Sequence, residues 1–310
     1  MNFFEELAEK ISFNKIENKK EHFAMLSNRY RNNMGEGKSS LSKTDEAKVY
    51  AITRMPATSS AIGSVLKRLS SKNVKSILDI GAGCGAGLVA LNNNFKKDAD
   101  VTCIENCKPM IEILDETKSI LGFTNVNVQE QDMCLYNVKS KYDLVMANYS
   151  LNELNKENIE NVLKKMYSAT SNYILIIEAG TPRGYEIVMK CKEYLINLGM
   201  NIVSPCKNTL CPLKNDYCHF SSRLQRPNFD RNIKLGTLSY EDEKFSYILL
   251  SKESPKDDFD NIIIRHPNYK KGLILLNCCT KNSGVDTIKI AKSQGELYKK
   301  ARKFDVGDEF

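Results

Sequence analysis

The feature that most constrains the fold of this chain is a glycine-rich turn between a buried strand and a helix. Residues 76–80, with the sequence SILDI, predict a strand that is buried on both faces. The apolar stretch 88–95 predicts a helix. Between them lie four glycines at alternate positions: Gly81, Gly83, Gly85 and Gly87. Glycines allow a sharp turn and a close approach of the backbone to a ligand, and the start of a helix offers free amides. The stretch therefore predicts a ligand-binding turn.

Strand and helix patterns alternate along residues 74–199. Five segments predict strands: VKSILDIG, ADVTCIEN, NVNVQEQD, YDLVMANYS and NYILIIEAG. Helical segments separate or follow them, and such alternation requires a parallel sheet wound by crossover helices. Two later segments, KFSYILLSKE and GLILLNCCT, predict a sixth and a seventh strand. We therefore expect an α/β fold with a seven-stranded sheet.

Two acidic residues support a cofactor site at the glycine turn. Asp79 stands two residues before the first glycine, and Glu105 ends the second predicted strand. A carboxylate at that second position accepts hydrogen bonds from ribose hydroxyls. A dinucleotide-binding fold is the alternative. However, Asp79 and the glycines resemble the first motif of class I S-adenosylmethionine-dependent methyltransferases, whose seven-stranded Rossmann-like sheet has an antiparallel last strand.

That resemblance implies a set of cofactor-binding residues. Asp79 and three of the glycines would hold the methionine part, Glu105 the ribose, and Asp132 the adenine amino group; Asn148 and Tyr149 would face the methyl acceptor. The set is Asp79, Gly81, Gly83, Gly85, Glu105, Asp132 and Asn148. A helix cap is the alternative interpretation of Asp132. The fourth strand lacks the Asn/Asp-Pro-Pro-Tyr/Phe motif of amino-group methyltransferases, so catalytic residues stay unidentified.

The pattern predicts four regions along the chain. Residues 1–70 form a helical N-terminal region, with a polar connector over 31–48, and residues 71–200 form the Rossmann-like methyltransferase core. Residues 201–243 form a cysteine-rich, metal-binding insertion, and residues 244–310 hold the last two strands and a basic C-terminal tail. We expect the core to carry the cofactor and the insertion to carry a metal.

Three cysteines in thirteen residues, Cys206, Cys211 and Cys218, predict a metal site. The acidic opening of the chain argues against a secretory signal or transit peptide, and in a reducing compartment clustered cysteines are candidate ligands. A fourth ligand must come from Cys278–Cys279 or from His219. The helix 183–199 and an antiparallel last strand would end at the same sheet edge, which brings the loop cysteines to Cys278–Cys279. Zinc remains open, but irregular spacing beside prolines favours an iron–sulfur cluster.

The run PCKNTLCPLKNDYCHFSSRLQRP resembles the cysteine signature of the mitochondrial small ribosomal subunit methyltransferase-like family and its bacterial relatives. Further similar segments are LSNRYR, RMPAT, LNEL and the final CT…KSQGELYKKARKFDVGD. The resemblance implies association with small-subunit ribosomal RNA, a role in ribosome assembly and a [4Fe-4S] cluster. It also implies that Cys279, before Thr280, is the fourth ligand and that Cys278 is an extra thiol. Tyr217 stands where the family commonly has tryptophan.

Basic residues predict contact with RNA phosphates. The formal net charge is +7, and two groups of cations stand out after the third loop cysteine and in the C-terminal tail. The candidates are Arg223, Arg226, Arg231, Lys299, Lys300, Arg302 and Lys303, with Lys234, Lys289 and Lys292 nearby. No apolar run reaches the roughly 18 residues of a membrane span. We expect a monomer when free, in a bacterial-type cytoplasm or a mitochondrial matrix.

Three functions stay open at this point. The chain is an enzyme that methylates a ribosomal RNA base, or an inactive RNA-binding assembly factor that keeps the cofactor pocket. The third is a zinc-containing small-molecule methyltransferase, which predicts no salt-sensitive affinity for RNA.

Overall fold

The computed structural model describes residues 2–32, 44–95, 98–206, 208–226, 228–234, 237–255 and 259–310. Most of the predicted connector 31–48 lies outside these ranges. The helices are α1 (Phe3–Lys10), α2 (Lys19–Asn32), α3 (Thr44–Thr53), α4 (Met55–Leu66), α5 (Ala86–Asn94), α6 (Lys108–Leu121), α7 (Lys156–Ala169), α8 (Pro182–Asn197), α9 (Asn228–Lys234) and α10 (Glu296–Ala301). Short 3-10 turns cover Phe13–Lys15, Lys67–Leu69, Leu151–Glu153 and Lys292–Gln294.

Twelve strands are formed by the described residues. They are β1 (Ser76–Ile80), β2 (Asp100–Glu105), β3 (Val126–Glu130), β4 (Tyr142–Asn148), β5 (Thr170–Ala179), β6 (Asn201–Ser204), β7 (Phe220–Gln225), β8 (Tyr240–Ser251), β9 (Asn261–Ile263), β10 (Asn268–Lys270), β11 (Leu273–Thr280) and β12 (Gly284–Ala291). The five predicted core strands are therefore present. Within the described ranges, no helix combines the length and the apolarity that a membrane span requires.

The chain forms two compact units. The first contains residues 1–178 and 222–243, and the second contains residues 179–221 and 244–310. The N-terminal helices thus share a unit with the core strands, and the predicted insertion 201–243 is divided between the two units.

The first unit is built on parallel strands in the order β3-β2-β1-β4-β5. Residues of β1 and β4 are nearly all buried, as expected for strands covered on both faces. The order reverses between β1 and its neighbours β2 and β4, and ligands of such sheets bind at that reversal, beyond the carboxyl ends of the strands. The predicted Rossmann-like α/β architecture is confirmed for these strands.

The N-terminal helices pack against this core. Helix α4 contacts α5, α1 and α3 contact α6, and α9 contacts α2 and α3. Nearly every residue of α4 is buried, because its side chains are mostly small and apolar and pack against neighbouring elements. The helices form one side of the glycine-turn site.

Glu178, at the end of β5, organises the chain after β4. Its side chain is fully buried. Oε1 accepts hydrogen bonds from the backbone N–H groups of Leu151 (3.0 Å) and Asn152 (3.2 Å), and Oε2 accepts one from Asn152 Nδ2 at 2.6 Å. The carboxyl group therefore satisfies the donors of a turn that would otherwise be buried without partners.

The second unit corrects the prediction for the last strand. The predicted strand GLILLNCCT is β11, but it pairs with β9, β10 and β12 in a separate four-stranded antiparallel sheet. The strand that pairs antiparallel with the second half of β8 is the short β6. Our assignment of this segment as the seventh strand of the large sheet was therefore wrong, because the apolar pattern of β11 reflects a second core. That core contains Ile263, Ile274, Leu276, Cys278 and Ile290.

The C-terminal tail is folded onto this small sheet. Ala301 and Phe304 lie in its core. The last residues pair with β9: Ile263 N–H donates to Asp308 O at 3.0 Å, and Asn261 exchanges backbone hydrogen bonds with Phe310 at 3.0 and 3.1 Å. The cations of the tail are consequently displayed on an ordered surface.

Candidate functional site

The glycine turn of the first unit opens onto a cavity at the carboxyl ends of β1, β2 and β4. Six of the seven predicted cofactor residues line it: Asp79, Gly81, Gly83, Glu105, Asp132 and Asn148. The cavity is also lined by Met55, Gly87, Tyr149 and Glu153, which belong to the same unit. The cavity thus lies at the reversal of strand order where an α/β sheet binds ligands.

Gly85 is the predicted residue that does not line the cavity. It begins α5 with φ +93°, and an added Cβ would lie 2.7 Å from Leu114 Cδ1. Its role is close packing of the turn against α6. By contrast, an added Cβ at Gly83, with φ +55°, would meet no protein atom within 4 Å. The open space beside the Gly83 backbone is the kind of cradle that a ligand occupies.

Glu105 holds the glycine turn in place. Its Oε2 accepts a hydrogen bond from Gly83 N–H at 2.9 Å, and its Oε1 accepts from Asn106 and Cys107 N–H, each at 2.9 Å. These three bonds leave the carboxylate with capacity for one further donor by lone-pair count. A ribose hydroxyl would therefore be bound by a carboxylate that is already oriented.

Asp79 and Asn148 lie at the buried end of the cavity. Asp79 is 2% exposed, and burial, with the charge of Glu105, raises the pKa of its carboxyl to about 7. Gly87 is required here, because an added Cβ would clash with Asp79 Oδ2. Asn148 Oδ1 is buried without a hydrogen-bond partner among the described residues, while the amide group interacts with the Asp79 carboxyl, whose pKa it lowers against the effect of burial. A buried acceptor without a partner is rare unless a ligand or water completes it.

Asp132 caps a turn and also lines the cavity. Its Oδ1 accepts a hydrogen bond from Cys134 N–H at 2.7 Å, which caps the turn after β3, and the residue also lines the cavity. A carboxylate keeps further acceptor capacity after one such bond, so the local cap leaves room for an amino group.

Tyr149 and Glu153 line the side of the cavity where the resemblance implies a methyl acceptor. Tyr149 has φ +55°, which is strained for a residue with a side chain. Its hydroxyl donates to Glu243 Oε1 at 3.1 Å, and Arg54 lies 3.5 Å from the same oxygen. Burial, with the charges of Glu105 and Glu178, raises the pKa of Glu153 to about 7. Four carboxyl groups line the cavity, which favours a cationic ligand.

A second cavity lies within the second unit and is lined by four thiols. They are those of Cys206, Cys211, Cys218 and Cys279. Neighbouring residues of a strand point to opposite faces; Cys278 accordingly lies in the core of the small sheet with no exposed surface, while Cys279 faces the cavity. His219, the alternative fourth ligand, does not line it. We predicted that the last strand would bring Cys278–Cys279 to the loop cysteines at one edge of the large sheet. That path was wrong, because β11 belongs to the small sheet, but Cys279 and the three loop cysteines do line one cavity.

Hydrogen-bond donors surround these thiols. The Tyr185 hydroxyl lies 2.9 Å from Cys211 Sγ, and Asn208 Nδ2 lies 3.8 Å from Cys279 Sγ and 3.0 Å from Thr280 O. Burial raises the pKa of Cys206 to about 11. Burial likewise raises the pKa of Cys218 well above its ordinary value, so these two thiols would ionise when they bind a metal centre. Among the residues that the structure describes, no group of three or more His, Cys, Asp or Glu is placed to hold a metal ion.

The predicted arginines are engaged by nearby acids. Arg223 makes two 2.7 Å hydrogen bonds to Asp242 and lies over the Tyr240 ring at 4.2 Å. Arg226 and Lys234 share Glu241 Oε2 at 3.2 and 2.8 Å. These cations are thus held by acidic residues of β8, which neutralise much of their charge.

The cations of the tail are more available. Lys299 pairs with Glu296 at 2.6 Å, but both side chains are largely exposed, so the pair is weak. Lys300, Arg302 and Lys303 are exposed. These four side chains present a basic surface on the second unit.

Several residues of the two cavities escape sequence reasoning. Glu153 stands in a polar segment and Lys192 in the charged segment KCKEY of α8, and both patterns are typical of a solvent-facing surface. The sequence places Gly87 in the glycine-rich turn, but only the folded structure shows that it lies against Asp79. Tyr185 and Lys192 are seven residues apart, and this helical spacing is the sequence feature that indicates that they share one face of α8.

Known proteins similar to this chain include factors of ribosome assembly. A family model described as "Mitochondrial small ribosomal subunit Rsm22" matches residues 44–310. The chain is 26% identical over 326 residues to "Rsm22-cox11 tandem protein 2, mitochondrial" of Schizosaccharomyces pombe, which covers 84% of this chain and 42% of that protein. It is 22% identical to "Ribosome assembly protein METTL17, mitochondrial" of Homo sapiens, covering 84% of this chain and 61% of that protein.

Solved structures show a weaker likeness. A SAM dependent methyltransferase from Aquifex aeolicus has a TM-score of 0.45 and 16% identity, covering 69% of this chain and 100% of that one. The chain spans between 42% and 61% of the length of the two curated relatives.

Proposed function

This chain belongs to the mitochondrial small ribosomal subunit Rsm22 family, and from that premise we propose that it is an assembly factor of the small ribosomal subunit. In this proposal the first unit binds S-adenosylmethionine, the second unit carries a [4Fe-4S] cluster, and the basic tail contacts ribosomal RNA. The relatives are named as mitochondrial proteins; we propose the mitochondrial matrix or a bacterial cytoplasm for this chain.

The observation that carries the cofactor proposal is the buried, unpartnered Oδ1 of Asn148 beside Asp79. S-adenosylmethionine has a sulfonium and an ammonium group against one carboxylate, so it is a net cation. A cavity with four carboxyl groups suits that charge, and Asn148 Oδ1 offers an acceptor to a polar ligand. The cofactor would supply an activated methyl group; the residues of the chain would bind and align it.

The pKa of Asp79 makes cofactor affinity depend on pH. With a pKa of about 7, the ionised fraction of Asp79 rises from about a tenth at pH 6 to about three quarters at pH 7.5. A cation binds the ionised form, so we expect the affinity for S-adenosylmethionine to rise about eightfold over this range. The range stays below the pKa of an α-amino group, roughly 7.7–8.0. Isothermal titration calorimetry in buffers of constant ionic strength measures the rise.

Two isosteric variants separate the carboxyl groups that titrate in this range. Asp79→Asn should remove the pH dependence, whereas Glu153→Gln should retain it. A dependence that survives in Asp79→Asn and disappears in Glu153→Gln would assign it to the acceptor side of the cavity. Absence of binding by the unaltered chain at every pH would refute the cofactor proposal.

The thiol cavity is the site that we propose for the cluster. Zn²⁺ binds four thiolates at about 2.3 Å and therefore draws their sulfurs to within about 4 Å of each other. A [4Fe-4S] cluster takes one thiolate on each of four irons, so its ligands form a wider ring. Four thiols line one cavity, and their irregular spacing beside prolines is the reason that we propose the cluster. The ligands would be Cys206, Cys211, Cys218 and Cys279. When bound, the cluster would cross-link the cysteine loop to β11.

For RNA contact, we propose the exposed tail cations. Replacing Lys299, Lys300, Arg302 and Lys303 together with alanine should weaken binding to small-subunit ribosomal RNA and make it less salt-dependent. Each lost phosphate contact lowers the slope of log affinity against log salt by about 0.7–0.9, so the slope should fall by up to about three. Filter binding between about 50 and 200 mM salt checks it.

A control variant carries the same change of charge elsewhere. Lys10, Lys15, Lys20 and Lys67 are exposed lysines of the first unit, and their replacement with alanine should leave most of the slope intact. Equal losses in the two variants would show that net charge alone governs binding and would contradict a role for the tail.

Methylation of a ribosomal RNA base is a second candidate function, favoured by Glu153. A carboxyl group with a pKa of about 7 beside the acceptor position suits removal of a proton. Transfer of labelled methyl from S-adenosylmethionine to purified small-subunit RNA, lost in Glu153→Gln, would support turnover. Cofactor binding without transfer, together with ribosome maturation that survives Asp79→Ala, would support the assembly role alone.

A further inference from the structure

Helix α8 presents one face to the thiol cavity of the second unit. The residues of this face are spaced three, four and seven apart, as one side of a helix requires. They are Tyr185, Val188, Met189 and Lys192. The opposite side is exposed and includes Glu186 and Lys190, which pair at 2.7 Å with more than half of each side chain in solvent. A lysine on the cavity face is therefore unexpected from the pattern of the helix.

Lys192 is a buried cation. Only 2% of its surface is exposed, and its Nζ donates to the backbone oxygen of Asn208 at 2.8 Å. No carboxylate among the described residues pairs with it. A buried ammonium is costly unless an anion compensates it. The remaining polar groups around the cavity are thiols and neutral donors, so the available source of negative charge is the sulfurs themselves.

We propose that Lys192 supplies the counter-charge of the thiolate centre and thereby raises its reduction potential. This inference rests on the proposed iron–sulfur cluster. Four thiolates and a [4Fe-4S]²⁺ core carry a net charge of −2, and uptake of one electron from an external donor makes it −3. A fixed cation beside the ligands stabilises the more negative, reduced state by a larger amount. Lys192 is thus a positioning and tuning residue and is not itself a ligand.

The donor and the charge of Lys192 have separate consequences. Its bond to Asn208 O fixes the backbone of the residue whose side chain reaches Cys279 Sγ and Thr280 O. Removal of the donor should loosen the loop, while removal of the charge should change the potential. Lys192→Met removes both, and Lys192→Gln keeps a donor without the charge.

The test is a redox titration of the full chain, purified without oxygen, with dithionite as electron donor and the visible absorption of the cluster as signal. At the midpoint potential of the unaltered protein, Lys192→Met and Lys192→Gln should each show a ratio of reduced to oxidised cluster at least tenfold lower. That change corresponds to a midpoint lower by about 59 mV for a one-electron couple. Lys190→Met, which removes an exposed lysine from the same helix, should leave the ratio within twofold.

The possible outcomes test the role of Lys192 and the presence of the cluster separately. Iron-loaded Lys192 variants whose ratio stays within twofold of the unaltered protein would overturn the role of Lys192 and leave the cluster standing. An unaltered protein without iron and sulfide would overturn the cluster and the role of Lys192 with it. Failure of both Lys192 variants to fold would also count against the proposal, because loss of a buried unpaired charge should not by itself unfold the chain.

Discussion

A Cys279→Ser variant purified without oxygen should be colourless and should contain almost no iron, where the unaltered chain should be brown with about four iron atoms per molecule. Serine keeps the shape of cysteine but does not ionise near neutral pH, so one corner of the cluster would lack its ligand. The other three thiols, from the 206–218 loop, would leave one iron exposed, so the centre should be lost during purification. Iron and sulfide analysis, with the visible absorption spectrum, measures the loss.

Cys278→Ser is the matched control, since it makes the same change one residue earlier. The Cys278 thiol is fully buried in the core of the small sheet and its Sγ contacts Leu276 O at 3.6 Å. A hydroxyl at this position should cost about 1–3 kcal/mol of stability but should leave iron content and colour unchanged. Equal loss of iron in the two variants would contradict the assignment of Cys279, and stoichiometric zinc in the unaltered chain would refute the cluster.

The parts of the fold that sequence predicts well are those with strong local patterns. The five core strands and the glycine turn follow from apolar runs stopped by glycine, and the structure has them in parallel order. The recognition of the family is confirmed by the match over residues 44–310. The strands, the turn and the cysteine signature are each formed by residues near one another in the chain, so a short stretch of sequence is enough to predict them.

The placement of β11 shows where such reasoning fails. Its apolar sequence suits a strand in either sheet, and nothing local distinguishes the two cores. The strand pairs with β12 through the short turn at 281–283 and with β9, so a hairpin with its own core competes successfully with the larger sheet. Register of this kind depends on contacts that the pattern of one strand does not contain.

Buried charged residues are the other feature that the hydrophobic pattern of a sequence does not predict. Glu178 follows a run of isoleucines and Lys192 stands among charged neighbours, and each would ordinarily be assigned to the surface. Their burial becomes intelligible only once partners from distant segments are in place. The same reasoning makes these residues the sites where a single substitution should have large effects.

Glu178→Ala should strongly destabilise the first unit. It would leave the backbone N–H groups of Leu151 and Asn152 and the Asn152 side-chain amide without their acceptor. Each buried donor left unsatisfied costs about 1–3 kcal/mol. Three such donors imply a loss of about 3–9 kcal/mol in the free energy of unfolding, which is a large part of a typical 5–15 kcal/mol. Urea denaturation of the full chain, followed by far-ultraviolet circular dichroism, measures it.

Glu178→Gln separates the hydrogen bonds from the carboxylate. Its remaining oxygen still accepts from the two backbone amides, and its new NH₂ group needs an acceptor in place of the Asn152 Nδ2 donor. Asn152 Oδ1 is buried without a partner and becomes that acceptor if the amide turns over, at the expense of the 3.2 Å bond from Nδ2 to Tyr149 O. We therefore expect a loss of about 1–2 kcal/mol. A glutamine variant as unstable as the alanine variant would show that the charge itself holds the turn.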